Sequence, residues 1–273
     1  MATITSEMVK ALREKTGVGM MDCKKALEQA NGDLDAAVDV LRKSGAAKAE
    51  KKASRATREG VIFSAVTPQV AALVEIVCET DFVARNERFC AYGKALAGRV
   101  AAMAGADGDL AAQVAAEEKA AIIDLVNAIG ENIQIRRVSR WEAKGGASLG
   151  FYDHQQNHKI VVLVEAAGGT AELLKDACMH IAAYSPRYIK PDDIPAAVIE
   201  KEKEIAQAQV GDKPANMIAN IVKGKVNKWY TEVCLLQQPW FKDEKSCLAK
   251  LAPALAVKRM LRWQIGEEAT AQA

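Results

Sequence analysis

The sequence predicts an α+β fold assembled from several parts, and three observations lead to this prediction. The chain has 273 residues, which is enough for two or three compact units rather than one. Alanine is abundant and aromatic residues make up only 5%, a composition that favours helices over an all-β fold. Two strand-rich stretches nevertheless occur ninety positions apart, and each precedes an apolar helical pattern. We therefore expect a small helical start followed by a duplicated core of strands and helices.

The first part of the chain predicts three short helices with very little core of their own. Apolar residues recur at helical spacing in each of them. Each predicted helix has a residue that favours its start and one that favours its end. These pairs are Thr5 and Gly17 for the first helix, Gly19 and Gly32 for the second, and Asp33 and Gly45 for the third. Residues 46–58 then combine alanine with lysine and arginine. We interpret them as a solvated helical linker rather than a nucleic-acid patch, because no aromatic residues alternate with the basic ones.

The core pattern begins with two strands, 60–66 and 70–78, on either side of a turn. A helix is expected from Asn86, a second from about 110 to 129, and a strand from 133. Equivalent features return at a constant offset: Gly60 and Gly150, 73–75 and 163–165, Thr80 and Thr170. A chance match is the alternative, but the offset holds at three places. We interpret the pattern as two related α+β subdomains.

A proline-rich boundary at 191–195 separates this core from a pair of predicted helices around a turn at 211–214. The apolar stripes of these helices must be buried, either within the protein or against a partner molecule. The chain then regains strand character, with apolar residues at period two up to Ile265.

The sequence contains no familiar catalytic motif, such as a phosphate-binding loop or a dinucleotide fingerprint. His154 and His158 lie in a turn without further ligands nearby, so we expect a loop pair rather than a metal site. His180 follows an apolar helical stripe and is expected to be packed, and Cys78 and Cys90 are expected to be small core residues. The residues of a catalytic site are therefore not visible in the sequence, and we expect no cofactor and no metal.

Nothing in the sequence indicates export or membrane insertion. The N-terminus lacks the features of a secretion signal, and no apolar run approaches the roughly 18 residues that a membrane span needs. Six scattered cysteines show no CxxC spacing. With 37 basic and 35 acidic residues, the charge balance also disfavours tight nucleic-acid binding. We expect a cytoplasmic protein with reduced thiols.

The two copies of the core differ most where their strands lead into helices. The second copy has a glycine turn followed by Ala171 and Glu172, whereas the first has Asp81 and Phe82. Phe82 could fold back into its own core, as most phenylalanines do. Its place at the start of a loop, directly after a strand, favours a binding role.

Several strings, in order along residues 5–265, resemble one family. They are TGVGMMDCKKAL at 16–27, TDFVA at 80–84, IGENI at 129–133, MHIAA at 179–183, IKP at 189–191 and LLQQP at 235–239. Together they are similar to elongation factor Ts. The resemblance implies these boundaries: a three-helix, ubiquitin-associated-like (UBA-like) domain at 1–54, a core N-subdomain at 55–140, a core C-subdomain at 141–190 and 229–265, a dimerisation-type helical hairpin at 191–228, and a short tail at 266–273. Because this tail is shorter than the last helix of many relatives, we expect partner contacts in the N-terminal domain and core.

The same resemblance implies a function and a set of site residues. The family exchanges guanine nucleotides on elongation factor Tu, without covalent catalysis and without direct contact to nucleic acid or membranes. The exchange loop, Thr80, Asp81, Phe82 and Val83, would enter the partner's G domain and dislocate Mg²⁺. Further expected partner contacts are Arg13, Met20, Met21 and Lys24 in the N-terminal domain, Ile129 and Gly130 beside the loop, and His154 on a second domain of the partner. The hairpin would allow a homodimer.

Two other functions remain open from the residues alone. An adaptor would use its three-helix domain to hold a ligand and would leave residues 80–83 inert. An enzyme with a diffuse site would turn over a small molecule through His154 or a cysteine.

Overall fold

The computed structural model describes residues 3–210 and 214–267, and it has the mixed helical and antiparallel-sheet character of an α+β protein. The described residues fall into two compact units. The first comprises residues up to 66, 70–142 and those from 264, and the second comprises 67–69 and 143–263. The finer domain boundaries given above remain predictions. In the described part of the chain, no helix has the length and apolar character needed to cross a membrane.

Three helices begin the first unit: α1 (Ser6–Thr16), α2 (Met20–Gln29) and α3 (Leu34–Lys52). The expected caps are in place, since the Thr5 hydroxyl accepts from Met8 N and the Asp33 carboxylate accepts from the backbone at 35 and 36. The buried side chains between these helices include Leu12, Cys23, Ala26, Leu27, Ala37 and Leu41.

The rest of the first unit is a sheet with helices packed on it. In chain order the elements are β1 (Glu59–Val66), β2 (Val70–Cys78), α4 (Asp81–Ala84), α5 (Glu87–Ala101), β3 (Gly108–Asp109), α6 (Ala111–Glu117), α7 (Lys119–Ile129) and β4 (Gln134–Glu142). The strands pair antiparallel in the order β1-β2-β4-β3. Phe63 on β1 and Phe89 on α5 meet in the core with ring centroids 5.8 Å apart.

Two helix boundaries in this unit differ from the prediction. Gly45 does not end α3, which continues to Lys52 through the first half of the predicted linker. A Cβ at Gly45 would lie 1.9 Å from Asn127 Nδ2 on α7, so this glycine serves close helix packing rather than termination. The single helix expected from about 110 to 129 is interrupted at Glu118, whose carboxylate accepts hydrogen bonds from Tyr92 and Arg99.

The second unit again combines a sheet with helices. Its elements are β5 (Ala147–Asp153), β6 (Ile160–Ala167), α8 (Ala171–Tyr184), α9 (Ala196–Ala208), α10 (Ala215–Val233), β7 (Pro239–Trp240), β8 (Asp243–Cys247), α11 (Leu248–Leu251) and β9 (Ala256–Gln264). The sheet order is β5-β6-β9, with β7 and β8 as a separate pair. Helix α10 runs past the predicted hairpin end at 228. Part of the predicted turn, 211–213, and most of the predicted tail lie outside the described residues.

The two units repeat one arrangement of buried charge at the ninety-residue offset. Glu75 on β2 is fully buried and is paired with Arg136 and Arg137 on β4. Glu165 on β6 is also buried, and it accepts a 2.7 Å bond from Arg259, which follows Lys258 on β9. A buried carboxylate requires such partners, because leaving it unpaired in the interior is costly. Each sheet therefore has a glutamate on an inner strand that pairs with two cationic side chains adjacent in sequence.

Candidate functional site

The segment between β2 and α5 forms a separate short turn because two caps lie close together in it. Thr80 accepts a hydrogen bond from Val83 N and begins α4. Asn86, six residues later, accepts from Arg88 N and Phe89 N and begins α5. In the second unit Thr170 caps α8 in the same way, but that helix continues without interruption to Tyr184. The second cap at Asn86 therefore gives the first copy a one-turn helix that the other copy lacks.

Phe82 is the most exposed large apolar side chain among the described residues, at 80%. Its neighbours Val83 and Ala84 are both buried in the core of the first unit. The alternative in which Phe82 packs into its own core is therefore excluded. Val83, expected among the partner contacts, instead faces inward and attaches the turn to the core. Keeping a phenylalanine in water forfeits roughly 1.5–3 kcal/mol of burial free energy.

Asp81 lies at the start of the same turn, with its carboxylate 3.2 Å from Arg85 Nη2. Both side chains are substantially exposed, and pairs of this kind contribute little, about 0.3–0.5 kcal/mol. The carboxylate can therefore exchange this partner for another at small cost.

The base of the turn is held by Glu131, a residue that the sequence did not single out. Its carboxylate accepts from Glu79 N at 3.1 Å, Thr80 N at 3.0 Å and the Thr80 hydroxyl at 2.6 Å. Glu79 in turn accepts from Asn132 N at 2.7 Å, and this bond holds the pKa of the Glu79 carboxyl below its usual value. The string at 129–133 carries part of the family resemblance, but sequence spacing gives no sign of contacts more than fifty residues away.

Ile129 and Gly130, expected to support the loop, lie directly before Glu131. Ile129 is partly buried against the core, and Gly130 ends α7 with a left-handed φ of 95°. Glycine adopts this conformation without the steric penalty of a Cβ. The Gly130 carbonyl accepts a 2.6 Å bond from Lys52 Nζ at the end of α3. The structure thus joins α3, residues 129–132 and the Phe82 turn in one set of contacts.

The expected N-terminal contacts are on the surface of the three-helix part. Met20 and Met21 begin α2 and are 57% and 66% exposed, and Arg13 and Lys24 are also exposed. The buried residues of α2 are Cys23, Ala26 and Leu27. These two consecutive exposed methionines, called the methionine patch below, leave apolar surface available to a partner.

The histidines belong to the second unit. His154 follows β5, and its Nδ1 is 3.1 Å from the Tyr152 hydroxyl. His158 contacts the Asp153 carboxylate, and the described residues contain no cluster of three or more metal-ligating side chains. His180 is packed, as expected: its ring is fully buried and stacks on Tyr184 and Trp240.

The buried position of His180 has a clear electrostatic effect. Burial lowers the pKa of its imidazole, because removal from water disfavours the charged form. Its Nε2 lies 2.9 Å from Gln238 Oε1, so the imidazole is held in place within the core of the second unit.

The whole chain has clear relatives. The sequence model for elongation factor TS matches residues 79–267, starting at the base of the Phe82 turn. A relative named elongation factor Ts from Thioalkalivibrio sulfidiphilus is 45% identical, with 97% of this chain and 93% of the relative covered. Those from Protochlamydia amoebophila and Methylococcus capsulatus are 41% and 44% identical, covering 98% and 97% of this chain and 100% and 93% of the relatives. The chain therefore belongs to the elongation factor Ts family.

Proposed function

We propose that this chain releases GDP from elongation factor Tu by inserting the Phe82 turn into the partner's nucleotide-binding domain. Family membership implies the role of a nucleotide-exchange factor in translation elongation. The observation that carries the finer proposal is the 80% exposure of Phe82 between residues that are anchored in the core. An exposed aromatic ring on a fixed support is suited to fill an apolar pocket on another protein.

The energetics favour Phe82 as the wedge. Burial in a partner would recover the free energy that its exposure forfeits in the free protein. Little ordering entropy opposes this insertion, because Thr80 and Val83 already hold the turn in one conformation. Asp81 would leave its weak pair with Arg85 and hydrogen-bond at the docking point, which would fix the angle of the ring.

The proposed effect on GDP acts through the magnesium ion. Mg²⁺ neutralises much of the charge on the nucleotide phosphates, so displacing the elements that hold the ion weakens the binding of GDP. The coupling is reciprocal: if nucleotide-free partner binds the factor more tightly than the GDP complex does, GDP weakens factor binding by the same ratio. No covalent step is needed, and GTP can then enter the vacated site.

Two further contact regions accompany the wedge in this proposal. Met20, Met21, Arg13 and Lys24 would bind the same partner domain, and their exposure supports that role. Ile129 and Gly130 would support the turn. His154 would touch a second domain of the partner.

We also assign self-association to the hairpin of α9 and α10. Ile205 and Met217 are exposed on it, and Val198, Ile205 and Trp229 line a groove of about 430 Å³. Sedimentation of the protein with and without Ile205→Glu tests this assignment. A single monomeric species for the unaltered protein at high micromolar concentration contradicts it.

The central experiment is the release of fluorescent GDP from elongation factor Tu, with and without this protein. Loss of an aromatic anchor costs about 2 kcal/mol or more, so Phe82→Ala should slow stimulated release by about thirtyfold or more. Its melting temperature should stay close to that of the unaltered protein, because the ring is exposed. Glu172→Ala is the matched control, since Glu172 is exposed at the equivalent position of the second copy. Unchanged GDP release on adding the unaltered protein would refute the proposal.

A further inference from the structure

The hydrogen bonds that fix the Phe82 turn converge on Glu131. One carboxylate oxygen accepts from the backbone N–H groups of Glu79 and Thr80, and the other accepts from the Thr80 hydroxyl. That hydroxyl also accepts the capping bond from Val83 N. Two consecutive hydrogen bonds therefore connect the carboxylate to the helical turn that carries Phe82.

Capping alone does not require this carboxylate. Thr170 caps α8 with a 3.2 Å bond from Leu173 N, and among the described residues no carboxylate holds its hydroxyl. The two threonines occupy equivalent positions in the two copies. A carboxylate that holds the capping threonine is thus found in the copy with the exposed aromatic ring. Among the described residues, the copy with the plain helix start has no equivalent of it.

Residues 130–132 are themselves held by further hydrogen bonds. Lys52 donates to the Gly130 carbonyl, and Asn132 Nδ2 donates to the Arg55 carbonyl at 2.8 Å. Asn132 N also donates to Glu79, directly beside the turn. Glu131 therefore projects from a backbone segment fixed to the end of α3, which makes it a rigid support for the turn.

We propose that Glu131 is a positioning residue for nucleotide exchange, which fixes the direction in which Phe82 is presented to the partner. This inference rests on the proposed function and deepens it. Hydrogen bonds to a charged acceptor are stronger than neutral ones, so three of them hold the turn in one geometry. Small displacements of a group that must fit a pocket have large effects on rate, which is why a support of this kind matters.

The test measures GDP release from elongation factor Tu at increasing factor concentration, which gives a maximal rate and a half-saturating concentration. Glu131→Ala should lower the maximal rate about tenfold. Glu131→Gln retains an accepting oxygen and should recover most of this loss, to within about threefold of the unaltered protein. The control is Glu118→Ala, because Glu118 is a partly buried glutamate whose bonds go to Tyr92 and Arg99. It should lower the melting temperature without changing the maximal rate.

A purely structural role for Glu131 predicts a different pattern. It would reduce the amount of folded factor and raise the apparent half-saturating concentration, with the maximal rate unchanged. That result would overturn the inference. In the Phe82→Ala background, Glu131→Ala should slow release by less than a further twofold, because it acts through the ring. A full tenfold further loss there would also overturn it.

The two proposals fail in distinguishable ways. If elongation factor Tu releases GDP as fast with the Phe82→Ala variant as with the unaltered protein, the proposed function of the turn is wrong. If Phe82→Ala lowers the rate of stimulated GDP release and Glu131→Ala leaves the maximal rate unchanged, only the positioning role of Glu131 is wrong.

Discussion

Replacing both exposed methionines at the start of α2 should weaken the binding of the partner while leaving the free energy of unfolding nearly unchanged. Met20 and Met21 are 57% and 66% exposed, so the folded protein already leaves more than half of each side chain in water. Fully burying a methionine is worth roughly 1.5–3 kcal/mol, and a partner can supply only the share that is still exposed. The double change Met20→Ala and Met21→Ala should therefore weaken binding by about 2–4 kcal/mol, or about 30- to 900-fold in Kd.

The assay is a calorimetric titration of nucleotide-free elongation factor Tu, together with thermal unfolding of each variant. The double variant should keep the unfolding free energy within about 0.5 kcal/mol, because exposed side chains contribute little to the fold. Leu251→Ala, an exposed apolar residue of the second unit, is the matched control and should change neither quantity. An unchanged Kd for the double variant would refute the assignment of this patch to the partner. A large loss of stability would show that the methionines belong to the core of the three-helix part.

Two further predictions concern the interiors of the two units. Glu75→Ala should destabilise the protein by about 1.5–3 kcal/mol in urea unfolding, because it removes the buried carboxylate that accepts from Arg136 and Arg137, although Arg137 keeps its pair with Glu267. Glu117→Ala on the surface of α6 should cost at most about 0.5 kcal/mol. Equal effects of the two changes would contradict the pairing of charge in the sheet. Burial lowers the pKa of His180 below its ordinary value of 6.5, so the unfolded chain binds more protons below about pH 6.5. The stability that neutral His180 contributes is present above that pH and is lost as the pH falls toward the folded pKa, and His180→Phe should flatten this part of the stability profile. An identical slope in the variant would show that other groups cause it.

Much of the local structure followed from the sequence because it depends on neighbouring residues. The caps at Thr5, Asp33 and Asn86 act on amides two or three positions away, and the hairpin strands pair through a short turn. The place of Phe82 directly after a strand end favours its outward direction, and the side chain is 80% exposed. The α+β class followed from composition and from the ninety-residue repeat.

The features that sequence reasoning missed depend on contacts between distant positions. Gly45 resembles a helix end by its type, but its role is set by Asn127, more than eighty residues later. Glu118, where the predicted helix is interrupted, accepts hydrogen bonds from Tyr92 and Arg99 on another helix. Glu131 holds a turn about fifty residues earlier in the chain. A single sequence carries no record of such pairings, so the support of the turn could not be deduced.

The uninterrupted course of α3 sets a fixed spacing within the first unit. Its 19 residues span about 28 Å at 1.5 Å per residue. One end packs in the core shared with α1 and α2 through Ala37 and Leu41. At the other end Lys52 donates a hydrogen bond to the Gly130 carbonyl. The length of the helix therefore fixes the distance between the three-helix part, which carries Met20 and Met21, and the residues that support the Phe82 turn. Inserting or deleting one residue in it would rotate one end against the other by about 100°, so changes in its length that preserve this alignment must come in multiples of whole turns.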